Sequence, residues 1–277
     1  MTALPTASTE AGRRPPTPLL AAATGVVAAS GLISAAIIGR GTLAGAVFLL
    51  QVVLALGWLA LVDAPGDAGG FALVGSAAIT ADIVLFEQSG VQVGDLAAIV
   101  GIALPGAFLH QLLRRRRRDV TASLIAVVML VVLAASAASL IGLRGGRGGQ
   151  QATVAALLGL GASILAGRTF DRFVPRPALA PGASRGFPGL IAGLVAGTTA
   201  AALYGSQNAI LGAARGAAFG IVVAAVAAAA DVGVDLGAAE MAGLSERQRS
   251  AVDPVAALLP FALAAPAAYV VGRLLLG

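Results

Sequence analysis

The chain has 277 residues, of which 58% are hydrophobic and 11% are charged, and its mean hydropathy is +0.93. A soluble domain usually carries about 25% charged residues, so these charges cannot cover a water-facing surface and the composition predicts a protein embedded in lipid. All 18 basic residues are arginine, cysteine is absent and histidine occurs once, which excludes lysine-dependent catalysis, a disulfide framework and a Cys/His zinc site.

The first segment, residues 1–17, is polar and rich in proline, and it predicts a disordered cytoplasmic tail. Its Arg13-Arg14 pair fits a twin-arginine export signal, but the prolines that follow and the many later spans favour a cytoplasmic flank of the first span. Residues 18–277 are then predicted to form one transmembrane helical domain.

Apolar runs of roughly 20 residues, the length that a helix needs to cross a bilayer, recur through the rest of the chain. They predict an all-α, polytopic integral membrane protein with about nine transmembrane helices, although eight or ten spans also fit the pattern. The predicted spans cover residues 18–38, 42–62, 68–86, 94–113, 120–143, 151–167, 187–205, 212–234 and 254–276.

The arginines between these spans predict the orientation of the chain. With the N-terminus in the cytoplasm, 13 of the 18 arginines fall in cytoplasmic segments, as the positive-inside rule requires. We therefore expect a multi-pass protein of the cell (inner or plasma) membrane with a cytoplasmic N-terminus. The same placement explains the sequence pI of about 11.1, so nucleic acid is not expected as a partner.

Asp82 and His110 are ionisable residues of the early spans, where each such group is a functional candidate because charge is costly in lipid. Asp82, close to Thr80, either takes part in a proton or ion relay or lies at a helix end near the interface. His110 closes the fourth span and is interpreted as an interfacial residue.

The densest charge on the chain is a run of five arginines between the fourth and fifth spans. It determines topology, and it also fits the binding of an anionic lipid or a nucleotide phosphate, since anionic headgroups attract each arginine by roughly 1 kcal/mol. The run consists of Arg114, Arg115, Arg116, Arg117 and Arg118.

Glycine recurs at every fourth residue in two of the later spans. This spacing leaves one helix face without side chains, so that two backbones can approach closely. It predicts close packing of helices within one bundle or, alternatively, a homodimer through the glycine-rich helices. The six glycines are Gly189, Gly193, Gly197, Gly212, Gly216 and Gly220.

Three aspartates near the cytoplasmic ends of the last two spans are candidate metal ligands. Asp231 and Asp235 are four residues apart, which places both carboxylates on one face of a helix. Asp253 follows a short polar loop and directly precedes Pro254, where the last span is predicted to open. Together the three carboxylates suit Mg²⁺ held against a phosphate, although acidic residues are also common at helix ends.

The second half of the chain, residues 118–277, resembles the phosphatidate cytidylyltransferase family, polytopic enzymes that make CDP-diacylglycerol from CTP and phosphatidate. Four stretches carry the resemblance, in the family's order. They are Arg118-Asp119-Val120-Thr121-Ala122, Gly167-Arg168 with Phe187-Pro188-Gly189, Ala230-Asp231-Val232-Gly233, and Ser250-Ala251-Val252-Asp253 with Ala265-Pro266.

The resemblance implies a Mg²⁺ cofactor, with an anionic phospholipid and CTP as partners. It implies Asp231 and Asp253 as metal ligands, with Asp235 close to them, and Arg168, Arg185 or the arginine run as groups that neutralise phosphate. The chain also departs from the family: Ala155 and Ala156 stand where the family has Ser-Asp, and Pro188 stands where it has Glu. These losses imply a divergent, catalytically impaired relative.

Three functions follow as alternatives. The first is Mg²⁺-dependent cytidylyl transfer to a phosphorylated lipid. The second, which the missing residues favour over the first, is a non-catalytic membrane protein that binds a lipid or a partner. The third is a small transporter or lipid translocator that uses Asp82 and the glycine-rich helices, although no internal repeat supports it.

Overall fold

A computed structural model describes residues 18–62, 68–87, 93–113, 119–174, 177, 186–240 and 245–277. The predicted tail, the arginine run at 114–118 and Arg185 lie outside the described residues. The described part of the chain forms nine α-helices: α1 (Pro18–Ile38), α2 (Arg40–Leu61), α3 (Ala68–Glu87), α4 (Val93–Leu113), α5 (Val120–Gly145), α6 (Gly149–Phe173), α7 (Phe187–Ser206), α8 (Gly212–Glu240) and α9 (Glu246–Leu276).

Each of these nine helices contains a stretch that is long and apolar enough to cross a membrane. Within the described residues this confirms the predicted all-α polytopic class and the count of about nine spans. Short connections reverse the chain: only Gly39 separates α1 from α2, and Gly148 takes a positive φ of 61° where the chain turns into α6. Successive helices therefore run in opposite directions.

Side-chain bonds between helix ends define the two ends of the bundle. Gln248 Nε2, at the start of α9, donates to the carbonyl oxygen of Leu61, at the end of α2, over 3.1 Å. Arg40 Nη2, at the start of α2, donates to the carbonyl oxygen of Leu85, near the end of α3. We call the end where α2, α4, α6 and α8 finish the Asp231 end, and the opposite end the Arg40 end.

Helices α5, α6 and α9 form the centre of the bundle and are its most buried spans. Helix α9 packs against five other helices, α1, α2, α5, α6 and α8, and is therefore central to the bundle. The main apolar core lies along these three helices, and a smaller one joins α2, α3, α4 and α5. The core positions the polar groups near the Asp231 end, where α6, α8 and α9 meet.

The predicted glycine faces pack within the bundle. A Cβ added to Gly197 of α7 would lie 2.6 Å from the carbonyl oxygen of Gly159 on α6, and one added to Gly220 of α8 would lie 2.6 Å from Thr198 Cα on α7. The same approach recurs at Gly193 and Gly216. These glycines let α7 lie directly against both neighbours, while a homodimer through them stays a prediction.

Three predicted boundaries are wrong by six or more residues, and the first is the end of α8, which continues from the predicted 234 to Glu240. Helix α6 continues six residues past the predicted end at 167, to Phe173, so Arg168 is helical rather than part of a loop. Helix α9 begins at Glu246, so Asp253 and Pro254 lie inside it. Ser245 caps α9, which begins at the next residue: its side chain accepts from the Gln248 backbone N–H in a capping box. The first turn of α9 is charged, so a hydropathy pattern does not show where the helix begins.

Candidate functional site

A buried ion pair joins α6 to α8 near the Asp231 end. Arg168 Nη2 donates to Asp231 Oδ1 over 2.7 Å, and the two residues are only 8% and 3% exposed. The predicted phosphate ligand and the predicted metal ligand thus lie in contact with one another. A charge-assisted hydrogen bond of this length neutralises much of the Asp231 charge.

Arg168 also bonds to α9, and a proline explains how. Pro260 has no N–H, so the carbonyl of Ala256, four residues earlier, has no helical donor at that position. Arg168 Nη2 donates to this Ala256 oxygen over 3.1 Å. One guanidinium therefore ties α6, α8 and α9 together, while its Nε is buried with no hydrogen-bond acceptor among the described residues.

The other two predicted metal ligands lie close by without forming a joint site. Asp253 on α9 is partly buried and interacts electrostatically with Arg168. Asp235 on α8 is also partly buried. Among the described residues, no group of three or more His, Cys, Asp or Glu side chains is arranged to hold a metal ion.

The described residues therefore do not fit a Mg²⁺ ion held by three carboxylates. Asp231 is already bonded to Arg168, and Ala155 and Ala156, which the resemblance aligns with a Ser-Asp pair, are buried in the apolar core at 0% and 2% exposed. That position is filled by helix packing rather than by a ligand.

Asp171 is a buried acidic residue that the sequence analysis did not select. It lies one turn after Arg168 on α6 and is 5% exposed. Its Oδ1 accepts the backbone N–H of Gly186, the N-cap of α7, over 2.9 Å, and its carboxylate occupies the space that a Cβ on Gly189 would need. A carboxylate at this position stabilises the start of α7. Asp171 lies three residues after Arg168, which puts both on one face of a helix. A prediction of α6 that extended past residue 167 would have indicated Asp171 by this spacing.

An apolar groove of about 500 Å³ lies beside the ion pair. Helices α2 and α8 both pack against α9 without extensive contact to each other, and α9 forms the floor of the groove between them. The groove is lined from α2 by Trp58 and Leu61, from α8 by Val226, Ala229, Ala230, Gly233, Val234 and Gly237, and from α9 by Val252, Val255, Leu259 and Leu263.

Two features make the groove more than a packing gap. A Cβ added to Gly233 would meet nothing within 4 Å, and the same holds for Gly237, so this wall is open where side chains would fit. The indole Nε1 of Trp58 is buried and has no acceptor among the described residues. Arg168 and Asp231 do not line the groove. Their neighbours do: Ala230 precedes Asp231, and Val255 precedes Ala256, whose carbonyl accepts from Arg168.

Asp82 and His110 have different surroundings. Asp82 lies five residues before the end of α3, is 8% exposed and accepts a hydrogen bond from Gln51 Nε2 over 3.0 Å, so its carboxylate is buried against α2, and both interpretations of its role stay predictions. His110 lies in the last turn of α4, partly buried, with its ring against Gly69 of α3.

Comparison with protein-family models, with curated proteins and with solved structures finds no match to this chain.

Proposed function

We propose that this chain binds an anionic glycerophospholipid, as a divergent relative of the phosphatidate cytidylyltransferases that kept a lipid site and lost part of the catalytic set. The observation that carries the proposal is the apolar groove between α2 and α8. Its volume of about 500 Å³ lies within the usual range for small-molecule sites, which is roughly 300–1,000 Å³.

The position of the groove supports a lipid as its occupant. The groove lies within the candidate spans of α2, α8 and α9, and nearly all of its lining is aliphatic or glycine. An acyl chain gains little from leaving other acyl chains, because lipid tails are as apolar as leucine. Selective binding must therefore depend on polar groups near the headgroup.

Polar groups are available at the Asp231 end. The Trp58 N–H lacks an acceptor, and an ester or phosphate oxygen of a lipid would supply one. Arg168 does not line the groove, but its positive charge lies beside Ala230 and Val255, which do. The arginine run, which follows α4 in the sequence, and Arg185, which lies between α6 and α7 in the sequence, are expected to add attraction for an anionic headgroup.

A groove-filling variant tests this proposal. Gly233→Phe would place a ring in the groove, whereas Gly101→Phe adds the same ring to an exposed glycine on α4 that also has nothing within 4 Å. We expect native mass spectrometry of delipidated protein with added phosphatidate to show binding to the wild type and to Gly101→Phe, and binding about tenfold or more weaker to Gly233→Phe.

The outcomes separate the parts of the proposal. Equal binding of phosphatidate by the two phenylalanine variants would overturn the groove as the lipid site. Equal binding of phosphatidate and phosphatidylcholine by the wild type would overturn the preference for an anionic headgroup. Trp58→Phe is expected to weaken binding while keeping the aromatic wall.

A second candidate, cytidylyl transfer, is favoured by the position of Asp253, whose carboxylate interacts with Arg168 beside Asp231. In this reaction a phosphatidate oxygen attacks the α-phosphorus of CTP, and diphosphate leaves as CDP-diacylglycerol forms. Labelled CTP, phosphatidate and Mg²⁺ test it, since Mg²⁺ usually binds through one or two carboxylates plus substrate phosphates. Labelled lipid that disappears in Asp231→Asn would establish the enzyme, and no labelled lipid from folded protein would leave lipid binding alone.

A further inference from the structure

A polar cluster is buried in the middle of the bundle, away from the lipid groove. Gln51 is 4% exposed and lies halfway along α2, and Asp82 of α3 is 8% exposed. The Gln51 amide nitrogen donates to Asp82 Oδ1 and to the carbonyl oxygen of Ala134, near the middle of α5, each over 3.0 Å. The Gln51 side chain therefore links Asp82 to the middle of α2 and to the middle of α5.

The cluster has more hydrogen-bond acceptors than donors. Asp82 Oδ2 and Gln51 Oε1 are both buried, and neither has a partner among the described residues. Ser139 Oγ on α5 is also buried and unpartnered, in a residue that is 1% exposed. Helices α3 and α5 run in the same direction and meet where Leu85 contacts Gly142, so Asp82 and Ser139, three residues before these, lie at matching levels.

The described helices bring no positive charge to the cluster. The charged or titratable side chains on the helices packed against α3, and on α3 itself, lie in end turns: Arg40 of α2, Glu87 of α3, Asp95 and His110 of α4, and Arg144 of α5. Arg40 bonds to the Leu85 carbonyl, and Arg144 to the Ala36 carbonyl and Gln150. A carboxylate buried in lipid without a compensating charge is strongly unfavourable.

We propose that Asp82 and Gln51 form an intramembrane site for one monovalent cation, a proton or Na⁺. Asp82 supplies the negative charge, and Gln51 is a positioning residue that fixes one carboxylate oxygen and presents its own carbonyl oxygen. The free oxygens of Asp82 and Gln51 are then available to the cation. This site is independent of the proposed lipid groove, which involves neither α3 nor α5.

Thermal unfolding of the full chain in detergent tests the site. We compare the wild type with Asp82→Asn and with the control Glu87→Gln, which changes an exposed carboxyl on the same helix. Each protein is melted between about pH 5 and about pH 9. One series contains choline as the only added cation, and the other contains Na⁺. If a proton is bound, the Tm of the wild type falls relative to that of Asp82→Asn by about 5 °C or more as the pH rises.

If Na⁺ is bound, Na⁺ but not choline raises the Tm of the wild type and leaves that of Asp82→Asn unchanged. Glu87→Gln is expected to behave as the wild type in both arms. A constant Tm difference between the wild type and Asp82→Asn at every pH and in both salts would overturn the proposal.

A second measurement does not depend on the folding of a variant. A hydrophobic carbodiimide reacts with protonated carboxyls in apolar surroundings, and mass spectrometry locates the adduct. We expect labelling of Asp82 in the wild type that decreases as the pH rises or as Na⁺ is added. Labelling of Asp82 that neither pH nor Na⁺ changes would contradict the site even if Asp82→Asn did not fold.

Discussion

Arg168 is a buried arginine that bonds to two neighbouring helices. Its guanidinium bonds to a carboxylate on α8 and to a backbone carbonyl on α9, both away from water. A buried ion pair contributes little when it is compared with well-packed apolar residues, because both charges lose their hydration. Loss of one partner is far more costly, since the other charge then stays buried alone.

Removal of the guanidinium should therefore destabilise the protein markedly. We expect Arg168→Ala to lower the free energy of unfolding by about 3–5 kcal/mol. Arg172→Ala is the matched control, because Arg172 lies one turn further along α6 and is exposed. The double variant Arg168→Met with Asp231→Leu should recover most of the loss, as measured by unfolding in detergent. Equal effects of Arg168→Ala and Arg172→Ala would show that the pair has no structural role.

At the scale of elements, the bundle depends on how closely α7 approaches α6 and α8. Gly197 is in contact with both neighbours, since an added Cβ would also lie 2.9 Å from Ala224 Cβ on α8. Interfaces of small residues are a common way to join transmembrane helices, because apolar side chains gain little by leaving lipid.

Even one methyl group should separate these helices. Gly197→Ala is expected to cost about 1–3 kcal/mol, because the Gly159 carbonyl it would meet is backbone and cannot rotate away. Gly101→Ala should be neutral or slightly stabilising, since alanine favours helix and the space there is open. Melting temperatures of the two variants in one detergent would check this, and equal temperatures would contradict the close packing.

Pro260 leaves the Ala256 carbonyl of α9 free to accept from Arg168. Proline costs a helix interior about 3 kcal/mol relative to alanine, so Pro260→Ala should stabilise α9 locally. The new N–H, however, would compete with Arg168 for the Ala256 carbonyl. We expect Pro260→Ala to stabilise the protein less than Pro266→Ala does in the same helix. In an Arg168→Ala background this difference should disappear, which a double-variant cycle of unfolding free energies would detect.

Hydropathy predicts the helices well because bilayer thickness fixes the length of a span. It fails where a helix continues beyond the apolar stretch, as α6 does through Arg168 to Phe173 and α9 does from Glu246. The pairing of Arg168 with Asp231 is not predictable from a local pattern, because the residues are 63 positions apart. The same holds for Gln51 and Asp82, which are separated by 31 positions. Asp82 was selected only because it is charged within a span.

At the scale of the whole molecule, the alternating helices place Val174 at the Asp231 end and Ser206 at the Arg40 end, and both residues are exposed. The positive-inside rule predicts that the first of these ends faces the cytoplasm. Because the chain has no cysteine, a single introduced thiol reports on one position.

The orientation can be measured with a membrane-impermeant maleimide on intact cells. We expect Ser206→Cys to react from outside and Val174→Cys to react only after the membrane is permeabilised. The reverse pattern would invert the chain, and labelling of both from outside would contradict an odd number of spans between these positions. The helices in the structure make that number one, α7.

The groove is open between α2 and α8, and this determines how the affinity of a bound lipid should be expressed. A site that opens within the bilayer exchanges its occupant by diffusion in two dimensions, and water is not the medium from which the ligand arrives. Occupancy then follows the mole fraction of a lipid in the surrounding leaflet, so diluting the sample at constant lipid composition would leave the groove as full as before. Added detergent would empty it, because detergent dilutes the lipid itself. If the groove binds lipid as proposed, the composition of the membrane alone would set how full it is.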